Sequence, residues 1–327
     1  MTNKEKADLF CKEWSEGKEW FSLTTSGSTG TPKTINVHRD QMIASAKKTI
    51  KALGLREGMT ALICLDVNFI AGRMMVVRSL VAGMKMIVVE PGSNPFGSIQ
   101  SKIDFAALVP YQVAAARNPE LSGKIIIGGA PISAELHQKI KNVEHASCYA
   151  TFGMTETLSH IALQKLNGYD AQDFFEVLDG VDISLDERQC LVIEADYLKD
   201  VVITNDVVEL INNKQFRWLG RWDNVINTGG IKVMPEKIES AVGDLLITNR
   251  NFISGLPHEQ LGQQVVLVIE GTLSRHEEEA LMAALRKRLS KYEVPKQILY
   301  SNEFVFTSTK KINRSASINN ALPRPGL

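Results

Sequence analysis

The sequence predicts an α/β protein in two parts. A large N-terminal α/β part with mixed sheets is followed by a small α+β part. Three observations lead there. Helix-period and strand-period segments alternate from residue 38 to residue 141, the pattern of a largely parallel sheet with crossover helices. After Gly168 short strands follow one another with little helix between them, which reads as antiparallel. Past Trp222 helices and strands mix within a short span. The 327 residues suffice for both parts.

In order, Met42, Ile43, Ala46, Ile50 and Leu53 recur at helical spacing and Gly54 closes that helix. The run 60–65 reads as a buried strand, as do 86–90, 105–109 and 124–128, with helices over 73–81 and 132–141. Antiparallel strands are expected at 189–195, 201–204, 207–211 and 216–219. The last part should contain a helix at 235–243, strands at 252–255 and 265–270, a charged helix at 275–290 and a strand near 297–300.

Composition narrows the function. Lys plus Arg and Asp plus Glu are balanced at 37 each, so no global field draws the chain to nucleic acid or an anionic membrane. An anion site must be built locally. Cys11, Cys64, Cys148 and Cys190 are scattered without a CxxC pair, which fits neither a disulfide framework nor a zinc site. The first residues lack an apolar signal core, and the apolar stretch 59–72 is interrupted by Asp66 and Asn68. A cytoplasmic protein is expected.

The densest chemistry lies in Thr24-Thr25-Ser26-Gly27-Ser28-Thr29-Gly30-Thr31-Pro32-Lys33. Bare backbone at the glycines, hydroxyl donors and one ammonium suit a polyphosphate. The spacing is not that of a Walker A loop, because Lys33 follows proline. A flexible Ser/Gly/Thr linker is the other reading of such a tract.

Ser26 to Lys33 resembles the phosphate loop of the adenylate-forming superfamily, which includes acyl-CoA synthetases, luciferases and peptide-synthetase adenylation domains. The resemblance recurs in order at Gly128-Gly129-Ala130-Pro131, at Thr151-Phe152-Gly153-Met154-Thr155-Glu156-Thr157, at Asp206, at Gly220-Arg221-Trp222-Asp223 with Gly229-Gly230, and at Lys311. It implies the adenylate-forming ligase fold, shortened at the N-terminus, with an AMP-binding domain over 1–221 and a mobile C-terminal domain over 222–327. It also implies ATP and Mg2+, with coenzyme A as the thiol substrate. By the same resemblance Thr25 to Gly30 and Lys33 cradle phosphate, and Gly128 to Ala130 with Thr151 to Gly153 line adenine. Thr155 faces the α-phosphate, Glu156 helps hold magnesium, and Asp206 and Arg221 take the ribose. Lys311 is the catalytic lysine, by the register that Ile312 and Arg314 hold, with Lys310, where the family has glycine, as the other candidate. Asp206 follows Asn205 where the family has glycine. Asp223 falls at the family's hinge, and Gly229-Gly230 would be presented for thiol access.

In this superfamily the acid pocket is shaped by the helix after the second strand and by residues near the Thr-Glu pair. Here that points to Asn68, Arg73, Arg78 and Ser159. An arginine on a mostly apolar helix suits a second carboxylate rather than a fatty chain. The run Thr155 to His160 is similar to the one in o-succinylbenzoate–CoA ligases of menaquinone biosynthesis, whose substrate has two carboxylates and an aromatic ring. Other readings stay open: another acyl-CoA synthetase, an acyl-AMP ligase that loads a carrier protein, an inactive nucleotide-binding module, and an unrelated phosphate-loop kinase. The phosphate loop begins by residue 24, so much of the family's first subdomain is expected to be missing, and apolar surface exposed in this way could be covered in a homodimer.

Overall fold

The computed structural model describes residues 1–24, 34–97, 99–116, 122–246, 250–306 and 312–323. The chain runs through α1 (Asn3–Ser15), β1 (Trp20–Thr24), β2 (Thr34–His38), α2 (Arg39–Leu53), β3 (Thr60–Ile63), α3 (Ile70–Ala82), β4 (Lys85–Val88) and β5 (Ile103–Leu108). Next come α4 (Pro110–Ala115), β6 (Ser122–Ile127), α5 (Ala134–Lys141), β7 (Ser147–Gly153), β8 (His160–Lys165), β9 (Phe175–Val177), β10 (Val181–Leu185), β11 (Cys190–Ala195), β12 (Val202–Asn212) and β13 (Gln215–Arg221). The remainder holds β14 (Ile226–Thr228), β15 (Ile231–Val233), α6 (Pro235–Val242), β16 (Asn251–His258), β17 (Gly262–Glu270), α7 (Arg275–Arg288), β18 (Gln297–Ser301), α8 (Arg314–Asn319) and β19 (Leu322–Pro323).

The expected parallel and antiparallel sections are one 11-stranded sheet in the order β10-β11-β12-β13-β9-β8-β7-β6-β5-β3-β4. Strands β4, β3, β5, β6 and β7 pair in parallel; from β8 onward the pairing is antiparallel. The two strands expected at 201–204 and 207–211 are a single β12 that carries Asn205 and Asp206; its pairing with β11 is irregular across them, Cys190 opposing Val207 and Val192 opposing Ile203, and its pairing with β13 shifts between Val207 and Val208. Residues from Ile226 onward form a separate six-stranded sheet.

Side chains alternate across the parallel strands, so both faces must be covered. On β5, Phe105 and Ala107 join a core with Met42, Ala46, Met74 and Val77 of α2 and α3. Ala106 and Leu108 join a second core with Leu136 and Ile140 of α5. Helix α3 is buried over nearly its whole circumference, as an apolar helix between sheet and helices should be. The one charge in its buried stretch is Arg78.

The periodicity followed from residue 38 leaves out α1, although Thr2 and Glu5 form a capping box there and Ala7, Phe10 and Trp14 recur at helical spacing on its buried face; beside them, buried Asn3 bonds to the sheet. Asn3 is fully buried; its Nδ2 donates to Leu65 O at 3.2 Å and Val89 O at 2.9 Å, and its Oδ1 accepts from Val67 N at 3.1 Å. It thereby satisfies backbone groups beyond the ends of β3 and β4 that no ladder reaches. Three of the cysteines, Cys64, Cys148 and Cys190, are buried and all four are free. Burial pushes the Cys64 thiol up to about 12 and that of Cys148 to about 11, so neither is a nucleophile at neutral pH. No helix among the described residues is long and apolar enough to cross a membrane. Replacing Asn3 with Ala strands these backbone groups and is expected to cost about 1–3 kcal/mol, read as a lower midpoint in urea unfolding with unchanged slope.

Candidate active site

Where sheet direction reverses, β7 ends at Gly153, a 3₁₀ turn spans Thr155–Thr157, and β8 starts at His160. Ligands of open α/β sheets gather beyond the carboxyl ends of parallel strands, and this turn lies there beside the end of β6. The glycines are sterically required. A Cβ on Gly128 would collide with Thr151 Oγ1, and one on Gly153 with the backbone of Ser159 and His160. Thr151 Oγ1 donates to Ile127 O at 3.2 Å, tying the two strand ends together. Gly129 has φ +82°, so the Gly128 to Ala130 turn also needs its second glycine.

The turn is held from beneath. Buried Thr157 Oγ1 accepts from Met154 N at 3.0 Å and contacts Ser159 O at 2.7 Å, and Tyr197 Oη donates to Thr157 O at 3.2 Å. Leu158 is buried with φ +64°, a conformation that costs about 1–3 kcal/mol in a non-glycine residue. The result leaves Glu156 exposed and Thr155 half-buried. Phe152 is half-buried, its ring edge-on to Phe175 at 5.7 Å and Phe216 at 5.1 Å.

Of the two arginines on α3, only Arg78 reaches this turn. It is 2% exposed, its Nη2 donates to Ser159 Oγ, its Nε lacks any partner, and no carboxylate pairs with it among the described residues. Burial pulls its pKa down to about 10, so it is still a cation at neutral pH. A buried cation without a counter-charge is costly and has room for an anion. Arg73 is committed elsewhere. Its Nε donates to Val67 O at 3.3 Å, its Nη1 to Ser22 O at 2.9 Å, and its guanidinium lies 5.5 Å from the Phe10 ring, so it joins β1, α1 and the start of α3. Of the two arginines expected to meet a second carboxylate, Arg78 is the one that keeps an unpartnered donor, its Nε, among the described residues. Asn68 is exposed, with its backbone N–H on Asp66 Oδ1 at 2.9 Å.

A second cluster forms across β12 and β13, where Asp206 and Arg221 are register partners. Buried Asp206 accepts from Trp218 Nε1 at 2.9 Å, and Arg221 lies 3.7 Å away. Burial raises the Asp206 pKa, opposed by the Trp218 hydrogen bond and the Arg221 charge. Arg221 also pairs with Asp223 at 2.6 Å. Asn205 donates to Asp223 Oδ1 at 2.8 Å and accepts from Arg188 Nη1 at 2.8 Å, so the residue that replaces the family's glycine is tied to Asp223. Gly229 (φ +59°) and Gly230 (φ +83°) are the two-residue turn of the β14–β15 hairpin, whose backbone demands glycine-like conformations.

The phosphate-loop positions Thr25, Ser26, Gly27, Ser28, Thr29, Gly30 and Lys33, and the lysine at 311, lie outside the described residues. Beside the latter, Phe306 and Ile312 form a β-bridge and Arg314 pairs with Glu239 at 2.8 Å. Among the described residues no three His, Cys, Asp or Glu side chains gather to hold a metal ion alone. A single exposed carboxylate such as Glu156 suits a magnesium ion that arrives already bound to a polyphosphate, since Mg2+ keeps waters and needs only one or two protein carboxylates. Sequence reading missed His160, Thr49, Tyr197 and Trp218. Thr49 and His160 are 111 residues apart, and no spacing rule joins them.

The family model described as AMP-binding enzyme matches residues 13–180. The chain belongs to this family. Among solved AMP-binding relatives, an acyl-CoA synthetase (AMP-forming)/AMP-acid ligase II-like protein from Dyadobacter fermentans is 40% identical, covering 96% of this chain and 93% of that one with a TM-score of 0.64. The o-succinylbenzoate CoA synthetase of Bacillus subtilis, solved with its acyl-adenylate intermediate, shares the fold at a TM-score of 0.78 and 20% identity, over 92% of this chain and 69% of that one. The 2-succinylbenzoate–CoA ligase of Escherichia coli is 24% identical over 321 residues, 93% of this chain and 69% of its own length.

His160 makes a pH prediction at this site. Its pKa is held well below 6.5 by burial and then by the Arg78 charge. Below pH 6.5 the unfolded chain takes up a proton that the folded chain refuses, so stability falls as pH falls through that value, approaching ~1.4 kcal/mol per pH unit from this group. Urea unfolding at pH 7.5 and 5.5 should therefore show a smaller acid-side loss in His160→Gln than in the parent chain.

Proposed function

We propose that this AMP-binding enzyme is an AMP-forming acid–thiol ligase, and that its acid is o-succinylbenzoate, converted to o-succinylbenzoyl-CoA as in menaquinone biosynthesis. The observation that carries the acid assignment is Arg78, a buried guanidinium whose Nε–H has no partner and which has no carboxylate partner among the described residues, in contact with Ser159 at the end of the Thr155–Glu156 turn. A monocarboxylic fatty acid would leave that cation uncompensated. An acid with a second carboxylate neutralises it.

In this reading one carboxylate of the acid attacks the α-phosphorus of ATP, the bond to pyrophosphate breaks, and an acyl-AMP forms. The thiol of coenzyme A then attacks the acyl carbonyl and AMP leaves. Magnesium supplies charge neutralisation of the phosphates. Thr155 and Glu156 meet the α-phosphate and the ion, Phe152 with Gly128, Gly129 and Ala130 borders adenine, and Asp206 with Arg221 takes the ribose hydroxyls. Residues Thr25 to Gly30 and Lys33 hold the phosphates and Lys311 offsets charge at the reacting phosphorus. Residues 1–221 form the AMP-binding domain and 222–327 the mobile one, with Asp223 as the hinge and Gly229-Gly230 on the thiol side. Support for that boundary comes from the change of sheet after Arg221.

The test is incubation with ATP, magnesium, coenzyme A and o-succinylbenzoate. AMP, pyrophosphate and the thioester mass are expected; ADP would overturn the reaction class. Arg78→Gln should raise KM for o-succinylbenzoate about 10- to 100-fold, the worth of a charge-assisted bond of ~1.5–3 kcal/mol, with KM for ATP unchanged. Asp223→Pro should spare pyrophosphate release without coenzyme A and cripple thioester formation. Equal loss in both half-reactions would remove the hinge.

A further inference from the structure

Behind Ser159 lies a line of polar groups that the proposed chemistry does not use. His160 is 7% exposed and Thr49 is fully buried. His160 Nε2 is 3.0 Å from Thr49 Oγ1, and its Nδ1 is 3.4 Å from Ser159 Oγ. Ser159 Oγ in turn meets Arg78 Nη2. Residues from α2, α3 and β8 with its preceding turn thus form one chain, Thr49–His160–Ser159–Arg78.

Counting donors fixes the direction of every hydrogen in it. A guanidinium only donates, so Ser159 Oγ accepts from Arg78. The Thr49 hydroxyl has no other hydrogen-bond partner among the described residues. If Nε2 carried the imidazole hydrogen, the Thr49 proton would be buried without an acceptor, at a cost of about 1–3 kcal/mol. Thr49 therefore donates to Nε2, and the hydrogen of the neutral ring sits on Nδ1, facing Ser159 Oγ. That oxygen then receives two donors. Its own hydrogen must point away from both.

We propose that His160 is a positioning residue: Thr49 sets its tautomer, its Nδ1–H holds the Ser159 oxygen, and the Ser159 hydroxyl hydrogen is turned toward the second carboxylate of the acid. The opposite tautomer would draw the Ser159 hydrogen onto Nδ1 and present a lone pair to the anion, so the tautomer decides whether this hydroxyl attracts or repels the substrate. The inference rests on the reading of Arg78 and Ser159 as the acid's anchor.

Two readouts test it. Nitrogen-15 histidine spectra of the ligand-free protein, with His160 assigned by its loss in His160→Asn, should show the Nδ1–H tautomer, and Thr49→Val should shift it toward Nε2–H. An Nε2–H tautomer in the parent chain overturns the proposal whatever the substrate. The second readout is the ratio of kcat/KM for o-succinylbenzoate to that for 4-oxo-4-phenylbutanoate, which lacks the ring carboxylate. That ratio should fall about tenfold in Thr49→Val and His160→Gln, the loss of one hydrogen bond to a charged group, and recover in His160→Asn, whose amide N–H can replace Nδ1–H. An equal fall for both acids overturns the proposal in favour of a purely structural role. If the parent chain forms no thioester from o-succinylbenzoate, the acid assignment fails, and the tautomer result still decides the relay.

Discussion

The buried guanidinium of Arg78 is the constraint around which this site is organised. Helix α3 is mostly apolar where it is buried, so the charge sits beside methionines and valines, with the Ser159 hydroxyl as its hydrogen-bond partner. Burying an ion costs several kcal/mol unless a partner compensates it, and the polar groups that gather near it, Ser159, His160 and Tyr197, are neutral. Neutral dipoles orient around the cation without cancelling it. A site built this way keeps its charge for something that enters from outside.

The sheet places that charge where chemistry can use it. Parallel strands bring the ends of β6 and β7 to one edge, and the antiparallel return of β8 forces a tight turn there. Glycine at 128 and 153 lets backbone and Thr151 pack where no side chain would fit. The strained Leu158 is tolerated because its side chain is buried and the turn is pinned by Thr157 and Tyr197. Exposed Glu156 and the Ser159 that meets buried Arg78 thus belong to one short segment.

At the other end of the sheet, electrostatics joins β12 and β13 to the segment leading into the second sheet. Asp206, Arg221 and Asp223 share charge within a few ångströms, and Asn205 and Arg188 extend the network. A ligand that engaged Asp206 and Arg221 would compete with the Arg221–Asp223 pair through one guanidinium. A pair exposed to this degree is individually weak.

Much of this was legible along the chain. Apolar periodicity located α2, α3, α5, α6 and α7 and the strands β3 to β6 because each depends on a local spacing. The ordered motifs pointed to the AMP-binding family because the backbone demands of a nucleotide are met by short contiguous segments. Helix α1 has local signals of its own, the Thr2–Glu5 capping box and the spacing of Ala7, Phe10 and Trp14, but nothing local marks the bonds of Asn3 to residues 62 to 86 positions away. Likewise, sequence pattern put Arg73 and Arg78 on one helix and could not separate them. Only tertiary packing decided that Arg73 staples Ser22 and Phe10 while Arg78 turns inward to Ser159, and that His160 lies between that serine and Thr49. Periodicity records which face of a helix is apolar, whereas the partner of a buried polar group is chosen by elements that meet only after the chain has folded.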